Sequence, residues 1–229
     1  TDSDLQLAVK RGFDKQDYAS AIKLARSILR EYPRFDDVRT LLGRSLLAAN
    51  QNGDAEKEFR AVLDEKLPTA RSLAWANVGL ADISSKGGQT AQAEKFVEEA
   101  IRADAEYGAS LAARNIRTRI KFNTPPDDSI KAFFAQFDKA AASNRKADID
   151  ALVVPGDATK FANGISGQTE QWQTQVRQID RIDANNIWVE TMVSVKLLSK
   201  DPTSGMAVYR LSRISGSWRL SGVDMFEVR

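Results

Sequence analysis

The segment Asp17-Tyr18-Ala19-Ser20-Ala21 is echoed further along the chain by Asn52-Gly53-Asp54-Ala55. Ala21 and Ala55 occupy equivalent places in the two segments and lie 34 positions apart. A period of this length is typical of stacked helical hairpins, each of which buries its apolar face against its neighbours. The first half of the chain is therefore predicted to be an all-α repeat array. Such an architecture favours the binding of other molecules over catalysis.

A third segment extends the pattern. Trp75-Ala76-Asn77-Val78-Gly79 is similar to the W-x2-L-G opening of a tetratricopeptide repeat, with Val in place of Leu. Together the three units resemble that family over residues 1–122, slightly more than half of the chain. The resemblance implies three helical hairpins and a capping helix, which we expect from Tyr107 to about Phe122. An unrelated helical bundle is the alternative.

Small and large apolar residues are spaced in the predicted hairpins as packed helices require. Gly43 and Ala55 allow two helices to approach closely, and Phe59 is expected to fill the space between them. Pro68 is expected to end the second helix of the second hairpin. The predicted core positions are Leu5, Val9, Ala21, Ala25 and Ile28 in the first hairpin, Leu42, Gly43, Leu46, Ala55, Phe59 and Val62 in the second, and Trp75, Val78, Gly79, Ala93, Phe96, Val97 and Ala100 in the third.

Pro125 and Pro126 mark the predicted domain boundary, because proline cannot continue a helix. They separate the repeat domain, residues 1–122, from a second domain over residues 126–229. The second domain opens with a helix whose bulky stripe consists of Ile130, Phe133, Phe134, Phe137 and Ala141. A shorter helix is predicted around residues 147–153.

After about Gln173 the hydrophobic period changes to two, which indicates strands. Ile187 to Leu198 alternates throughout and predicts a long, half-buried strand, with an earlier strand near residues 176–182. Residues 206–214 and 218–228 are predicted to form a second hairpin around Ser215-Gly216-Ser217. The second domain is thus expected to be α+β, with helices packed on an antiparallel sheet.

The phenylalanine-rich first helix, the short second helix and the closing strand Gly216-Ser217-Trp218-Arg219-Leu220 resemble the nuclear transport factor 2-like (SnoaL-like) domains. The resemblance implies a curved sheet wrapped on helices around an internal pocket. That pocket is catalytic in ketosteroid isomerase, scytalone dehydratase and polyketide cyclases, and elsewhere is packed or used for association. A fold of this kind does not decide the function.

Composition excludes several kinds of chemistry. The chain has no Cys and no His, so disulfides, thiolate nucleophiles and a Ser-His-Asp triad are impossible. We expect no cofactor and no metal. Residues 1–122 carry 20 Lys and Arg against 18 Asp and Glu, and residues 123–229 carry 13 of each. This balance argues against a nucleic-acid partner.

Hydropathy and the start of the chain bear on the compartment. The composition is typical of a soluble protein, and no apolar stretch approaches the ~20 residues of a membrane-spanning helix, so membrane insertion is not expected. The chain begins Thr1-Asp2-Ser3-Asp4 without an initiator Met. We interpret this as a mature form that has lost a leader, which favours an exported or periplasmic location over the cytoplasm.

The candidate pocket of the α+β domain consists of Phe133, Phe137, Trp188, Tyr209 and Asp224. Asp224 is predicted to share a strand face with Trp218, Leu220 and Phe226, where it could carry a raised pKa. The alternative is that it pairs with an arginine such as Arg210 or lies where the strand reaches solvent. The enzymes of the resembled family need a second polar group opposite, and phenylalanines stand there instead. No catalytic residue is therefore predicted.

The candidate partner-binding groove is expected on the first helix of each hairpin. Equivalent positions in the repeats give Gln6, Lys10, Thr40, Arg44, Ala76 and Leu80. These residues predict a groove that is basic at one end and apolar at the other, suited to an acidic-then-apolar peptide. They lack the Lys/Asn set that clamps a terminal carboxylate in chaperone-binding repeats. The basic run Arg114, Arg117, Arg119 and Lys121 is interpreted as a solvated face or a contact with the adjacent domain, and the alternative is that it binds an anion.

Two functions are consistent with the sequence. The first is a non-enzymatic interaction or scaffold protein whose repeats bind a protein or peptide, with the α+β domain as an accessory, ligand-pocket or dimerising module. A homodimer through the C-terminal sheet belongs to this interpretation. The second is a small-molecule-binding protein or a lyase/isomerase-type enzyme that uses the pocket of the α+β domain. Two facing polar groups in that pocket would favour the second.

Overall fold

The computed structural model describes residues 1–103, 107–120 and 127–229. The chain divides into two compact units, residues 1–121 and 122–229. The predicted boundary at Pro125 and Pro126, and the predicted end of the capping helix near Phe122, lie outside the described residues.

Seven helices build the described part of the first unit, and they follow one another as hairpins. Their bounds are α1 Asp2–Asp14, α2 Tyr18–Glu31, α3 Asp36–Ala48, α4 Asn52–Leu63, α5 Ala70–Lys86, α6 Thr90–Ala103 and α7 Tyr107–Arg119. Helix α7 packs on both α5 and α6. The predicted all-α hairpin architecture is confirmed. Helix α4 ends at Leu63, five residues before Pro68, so the proline does not itself end this helix.

The centre of the first unit is built around Phe59. Its ring is fully buried and contacts two glycines, Gly43 on α3 and Gly79 on α5. A Cβ atom on Gly43 would lie 2.6 Å from the Cε1 of Phe59, so only glycine leaves room for the ring. The predicted contact with Gly43 is present, and the contact with Gly79 joins the second hairpin to the third.

The start of α3 and the start of α5 are tied together by hydrogen bonds. Thr69 caps α5 by accepting a hydrogen bond from the amide of Ser72. The Thr69 amide donates to the Asp36 carboxylate at 2.6 Å, and the Ser72 hydroxyl donates to the Asp37 carboxylate at 2.7 Å. These bonds fix α5 beside α3, which matters because both helices line the candidate site described below.

Over its described residues 127–229, the second unit has three helices followed by a four-stranded antiparallel sheet, in the strand order β1-β2-β3-β4. The bounds are α8 Asp128–Ser143, α9 Lys146–Asp150, α10 Asp157–Ile165, β1 Thr169–Arg181, β2 Asn186–Leu197, β3 Thr203–Ile214 and β4 Ser217–Val228. This order of helices and meander is the one that the resemblance to nuclear transport factor 2-like domains implied. The α+β fold class is confirmed.

One face of the sheet packs on the helices. The predicted stripe of α8 is buried there, from Ile130 to Ala141, together with inward side chains of all four strands such as Trp172, Val189, Tyr209 and Leu220. The hairpin of β3 and β4 turns at Ser215 and Gly216, both with positive φ, as a tight two-residue turn requires.

Two elements differ from the sequence-based expectation. Strand β1 begins at Thr169, seven residues earlier than the predicted strand near residue 176. The first half of β1 is rich in glutamine on its outer face, and Trp172 is its rare large buried residue. The alternation of apolar and polar residues is therefore weak there. The short second helix ends at Asp150, and a separate helix, α10, begins at Asp157 after Pro155-Gly156.

Candidate functional site

A groove of about 620 Å³ lies in the first unit. It is lined by residues of helices α1, α3, α5 and α7, which are the first helix of each hairpin and the capping helix. The lining residues are Phe13, Arg44, Leu47, Ala48, Trp75, Val78, Gly79, Asp82, Lys86, Ala112, Asn115, Ile116 and Arg119. The groove is mainly apolar and carries four charged side chains.

Helical periodicity explains why these residues meet. Arg44, Leu47 and Ala48 lie at spacings of three and four on α3, and the same spacing recurs on α7 from Ala112 to Arg119. On α5 the stripe runs from Trp75 to Lys86 and spans most of the helix. Residues at these spacings share one helical face. Three parallel stripes therefore form the walls of the groove.

An arginine stacked on aromatic rings defines one end of the groove. The guanidinium carbon of Arg44 lies 3.8 Å from the ring centre of Trp75 and 4.7 Å from that of Phe13. A cation over aromatic faces is attracted by their quadrupoles, and the rings also hold the arginine stem in place. This contact connects α1, α3 and α5 and leaves Trp75 half-buried.

The other end of the groove carries an ion cluster. Asp82 forms an ion pair with Lys86 of the same helix, α5, at 2.7 Å, and a second one with Arg119 of α7, at 2.8 Å. The Asp82 side chain is 17% exposed, whereas those of Lys86 and Arg119 are 55% and 56% exposed. The acid is thus enclosed by its two cations, which present most of the charged surface.

Of the six residues predicted to line the groove, Arg44 does so. Lys10 is exposed and forms an ion pair with Asp14 at 2.6 Å, one turn along α1, and Gln6 is half-buried. Neither of them is part of the groove wall. Phe13 is the residue that α1 contributes, because the groove meets this helix at its C-terminal end.

Thr40, Ala76 and Leu80 are buried and offer no surface to a partner, which corrects that part of the prediction. The Thr40 hydroxyl donates to the backbone oxygen of Asp36. On α5, Ala76 and Leu80 are rotated by about 100° and 140° from Trp75, at 100° per residue. They face the neighbouring helices, since α5 packs against α3, α4, α6 and α7.

The residues of the predicted basic run also differ in their exposure to solvent. Arg114 and Arg117 are almost fully buried, so they do not form a solvated face. The Nε of Arg114 donates to the Ser110 hydroxyl at 3.3 Å. Arg119 is the exposed member and joins the groove, while Lys121 lies outside the described residues. The spacing of Ala112, Asn115, Ile116 and Arg119 was the sequence signal for this wall.

The residues predicted to form a pocket in the second unit lie on two faces of the sheet. Phe133, Phe137 and Tyr209 are buried between the helices and the inner face, where their rings contact one another or Phe134. Trp188 pairs with Arg210 across β2 and β3 and lies on the outer face, half-buried. The five residues therefore do not line one pocket.

Asp224 lies on the outer face because β4 contains an irregularity before it. Leu220 and Gly222 pair with the adjacent residues Leu211 and Arg210, which leaves Ser221 as an extra residue in the ladder. Such a bulge reverses the inward and outward alternation beyond it. Asp224 accepts from the guanidinium of Arg210 at 2.7 Å, the alternative considered for this residue. Its predicted place on one face with Trp218 and Phe226 is wrong.

Two buried polar groups of the inner face have no hydrogen-bond partner among the described residues, the hydroxyl of Tyr209 and the Nε1–H of Trp172. Burial, with a smaller contribution from the Asp138 carboxylate, raises the pKa of this phenol above its usual range. Asp138 itself accepts hydrogen bonds from the amide and hydroxyl of Thr174, at 2.9 Å and 2.6 Å. Burial raises the pKa of Asp138, although both hydrogen bonds act to lower it.

Within residues 1–103, 107–120 and 127–229, no group of three or more His, Cys, Asp or Glu side chains is arranged to hold a metal ion. Within the same ranges, no helix is long and apolar enough to cross a membrane.

Comparison with known proteins agrees with the repeat pattern. No curated protein matches the sequence of this chain. Among solved structures, one similar chain is described as "Putative Scytalone Dehydratase" from Novosphingobium aromaticivorans, with 12% identity and a TM-score of 0.34. That similarity covers 44% of this chain and 88% of the other. Residues 13–74 match the family model described as Tetratricopeptide repeat.

Proposed function

We propose that this protein is a non-enzymatic interaction or scaffold protein whose repeats bind a peptide segment of a partner protein. The groove lined by α1, α3, α5 and α7 is the binding site. The α+β unit serves as an accessory, ligand-pocket or dimerising module. The observation that carries the proposal is the half-buried Trp75, which is held by Arg44 in a groove of about 620 Å³.

The size and lining of the groove support a peptide ligand. Its volume falls within the range of about 300–1,000 Å³ that is typical of small-molecule sites, which leaves space for a few side chains of a peptide. Tetratricopeptide repeats generally mediate interactions between proteins, and stacked hairpins present an extended surface for them. Tryptophan and arginine are the residues that most often dominate binding energy in protein interfaces, and here they stand side by side.

The lack of catalytic groups supports a non-enzymatic role. The chain has no His or Cys to act as a general base or nucleophile near neutral pH. Asp224, the carboxylate considered for catalysis, is engaged by Arg210 on the outer face of the sheet. Asp138 is engaged by Thr174.

Peptide selection with matched tryptophan variants tests the proposal. A random 12-residue peptide library is displayed and selected on the full chain, and the enriched peptides are then measured by fluorescence anisotropy. We expect Trp75→Ala to weaken binding by more than about tenfold, since truncation of a central interface tryptophan costs about 2 kcal/mol or more.

The control is Trp188→Ala, which truncates another half-buried tryptophan in the second unit and should leave the affinity unchanged. Thermal unfolding followed by circular dichroism verifies that both variants fold. Peptides that bind Trp75→Ala as tightly as the unaltered chain would contradict the proposed site.

The alternative function, a small-molecule binder or enzyme using the α+β unit, retains one supporting observation. The buried Tyr209 hydroxyl has no hydrogen-bond partner among the described residues, and a ligand could provide one. Against this, Trp188 and Asp224 face away from it.

A further inference from the structure

The two ends of the groove differ in chemistry. Trp75 and Phe13 form an aromatic end, and Asp82 with Lys86 and Arg119 forms an ionic end. Both ends are joined by a single helix face of α5. The groove wall between them is mainly apolar and consists of Leu47, Ala48, Val78, Gly79, Ala112, Asn115 and Ile116. A ligand that fills the whole groove must satisfy both ends.

The ionic end has a surplus of positive charge. Two cations, Lys86 and Arg119, share the single carboxylate of Asp82. Both cations are more than half exposed and carry several N–H donors, so each can accept a further anion beside Asp82. The ionic end of the groove therefore favours a negatively charged ligand.

The distance between the ends sets a spacing for that ligand. Trp75 and Asp82 are seven residues apart on α5, which corresponds to about 10 Å at 1.5 Å per residue. An extended peptide advances about 3.3 Å per residue, so about three residues span the same distance.

We infer that the groove recognises a peptide segment in which a carboxylate lies about three residues from a large apolar side chain. The apolar side chain packs on Trp75, and the carboxylate binds Lys86 and Arg119. This inference rests on the proposed function and adds the chemistry of the partner. It places the anion at the end of α5, opposite to the aromatic end that holds Arg44, whereas the repeat positions had predicted a basic end at Lys10 and Arg44.

Substitution of Asp82 tests the inference, because it should raise the affinity for the peptide. Loss of a residue with a purely structural role would not raise that affinity. Asp82→Asn removes the carboxylate that competes with the ligand, so the affinity for an acidic peptide should rise by about threefold. The double change Lys86→Gln and Arg119→Gln should lower the affinity by about tenfold, because two exposed ion pairs are lost. The control Arg60→Gln removes a cation of similar exposure, paired at i,i+4 on α4 and outside the groove, and should have no effect.

The probes are the peptides selected on the full chain, synthesised with acetylated and amidated ends. Their acidic residue is replaced by the matching amide, or moved two positions nearer to the apolar residue. Each change should weaken binding, and the affinity of the unchanged peptide should fall as salt rises. A second set with free C-terminal carboxylates distinguishes a chain end from an acidic side chain as the source of the anion.

The possible failures are distinguishable. Two results would overturn this inference and leave the proposed function standing, provided that the peptides lose affinity with Trp75→Ala. In the first, the peptides tolerate removal of their acidic residue. In the second, they bind Asp82→Asn more weakly than the unaltered chain. Enriched peptides that are insensitive to Trp75→Ala as well would overturn both.

Discussion

Phe59 and Gly79 are in such close contact that a methyl group on the glycine would overlap the phenyl ring. Gly79 lies on α5 in the groove wall, and Phe59 lies on α4 behind it. The glycine thus allows α5 to approach the second hairpin and brings Trp75 and Asp82 to the groove. The same ring fills the space over Gly43 on α3. One side chain therefore sets the spacing of the two central groove helices.

Gly79→Ala is expected to destabilise the protein by at least about 2 kcal/mol, because the added methyl overpacks a closed core. Urea unfolding followed by circular dichroism measures this loss. Gly53→Ala is the matched control, since Gly53 is also helical but has nothing within 4 Å of the added atom. That variant should be neutral or more stable by up to about 1 kcal/mol. Equal effects at both sites would show that the ring contact is unimportant.

A double change tests the same contact directly. Phe59→Leu alone should destabilise by about 1 kcal/mol or more, because it leaves a cavity. When Phe59→Leu is combined with Gly79→Ala, the smaller side chain should accommodate the methyl group. The double variant should therefore lose less stability than the sum of the losses of the two single variants. Strict additivity would contradict a direct contact between the two residues.

Asp138→Asn is expected to change how stability depends on pH. Burial raises the folded-state pKa of Asp138, so the folded protein binds this proton more tightly than the unfolded chain. The stability that it contributes is present below the unfolded pKa of about 3.9 and is lost as the pH rises through the folded pKa. Relative to the unaltered protein, Asp138→Asn should therefore gain stability as the pH rises above about 4.

Urea unfolding of both proteins at several pH values measures this difference. Asp127→Asn is a useful comparison, because hydrogen bonds from Ser129 lower the pKa of Asp127 and the linkage has the opposite sign. A stability difference for Asp138→Asn that stays constant with pH would contradict the prediction.

Tyr209→Phe is expected to be neutral or slightly stabilising. The hydroxyl is fully buried and has no partner among the described residues, so its removal eliminates the cost of an unsatisfied group. Loss of more than about 1 kcal/mol on this change would instead indicate a bound partner for the hydroxyl. That result would favour the small-molecule function for the α+β unit, and thermal unfolding of both proteins decides the matter.

The Arg210–Asp224 pair is expected to contribute little to stability. Its side chains are 37% and 24% exposed, and partly exposed ion pairs are worth at most about 1 kcal/mol. A double-mutant cycle with Arg210→Ala and Asp224→Ala measures their coupling energy. A coupling well above that limit would mean that the outer face shields the pair more than its exposure indicates.

Local periodicity determined most of the fold from the sequence alone. The 34-residue period and the motif beginning at Trp75 predicted the helical hairpins, and strict alternation from Ile187 predicted β2. Both patterns reflect which side of a local element avoids water, and a linear sequence records that directly. The absence of His and Cys also limited the chemistry without any structure.

Tertiary packing decided which residues form the candidate sites. Ala76 and Leu80 fall at plausible repeat positions, yet the contacts of α5 with four other helices bury them and turn Trp75, Asp82 and Lys86 to the groove. Likewise, an extra residue in β4 turns Asp224 outward to Arg210. A helix rotation and a strand bulge both depend on neighbours that are distant in the sequence, so the local pattern could not contain them.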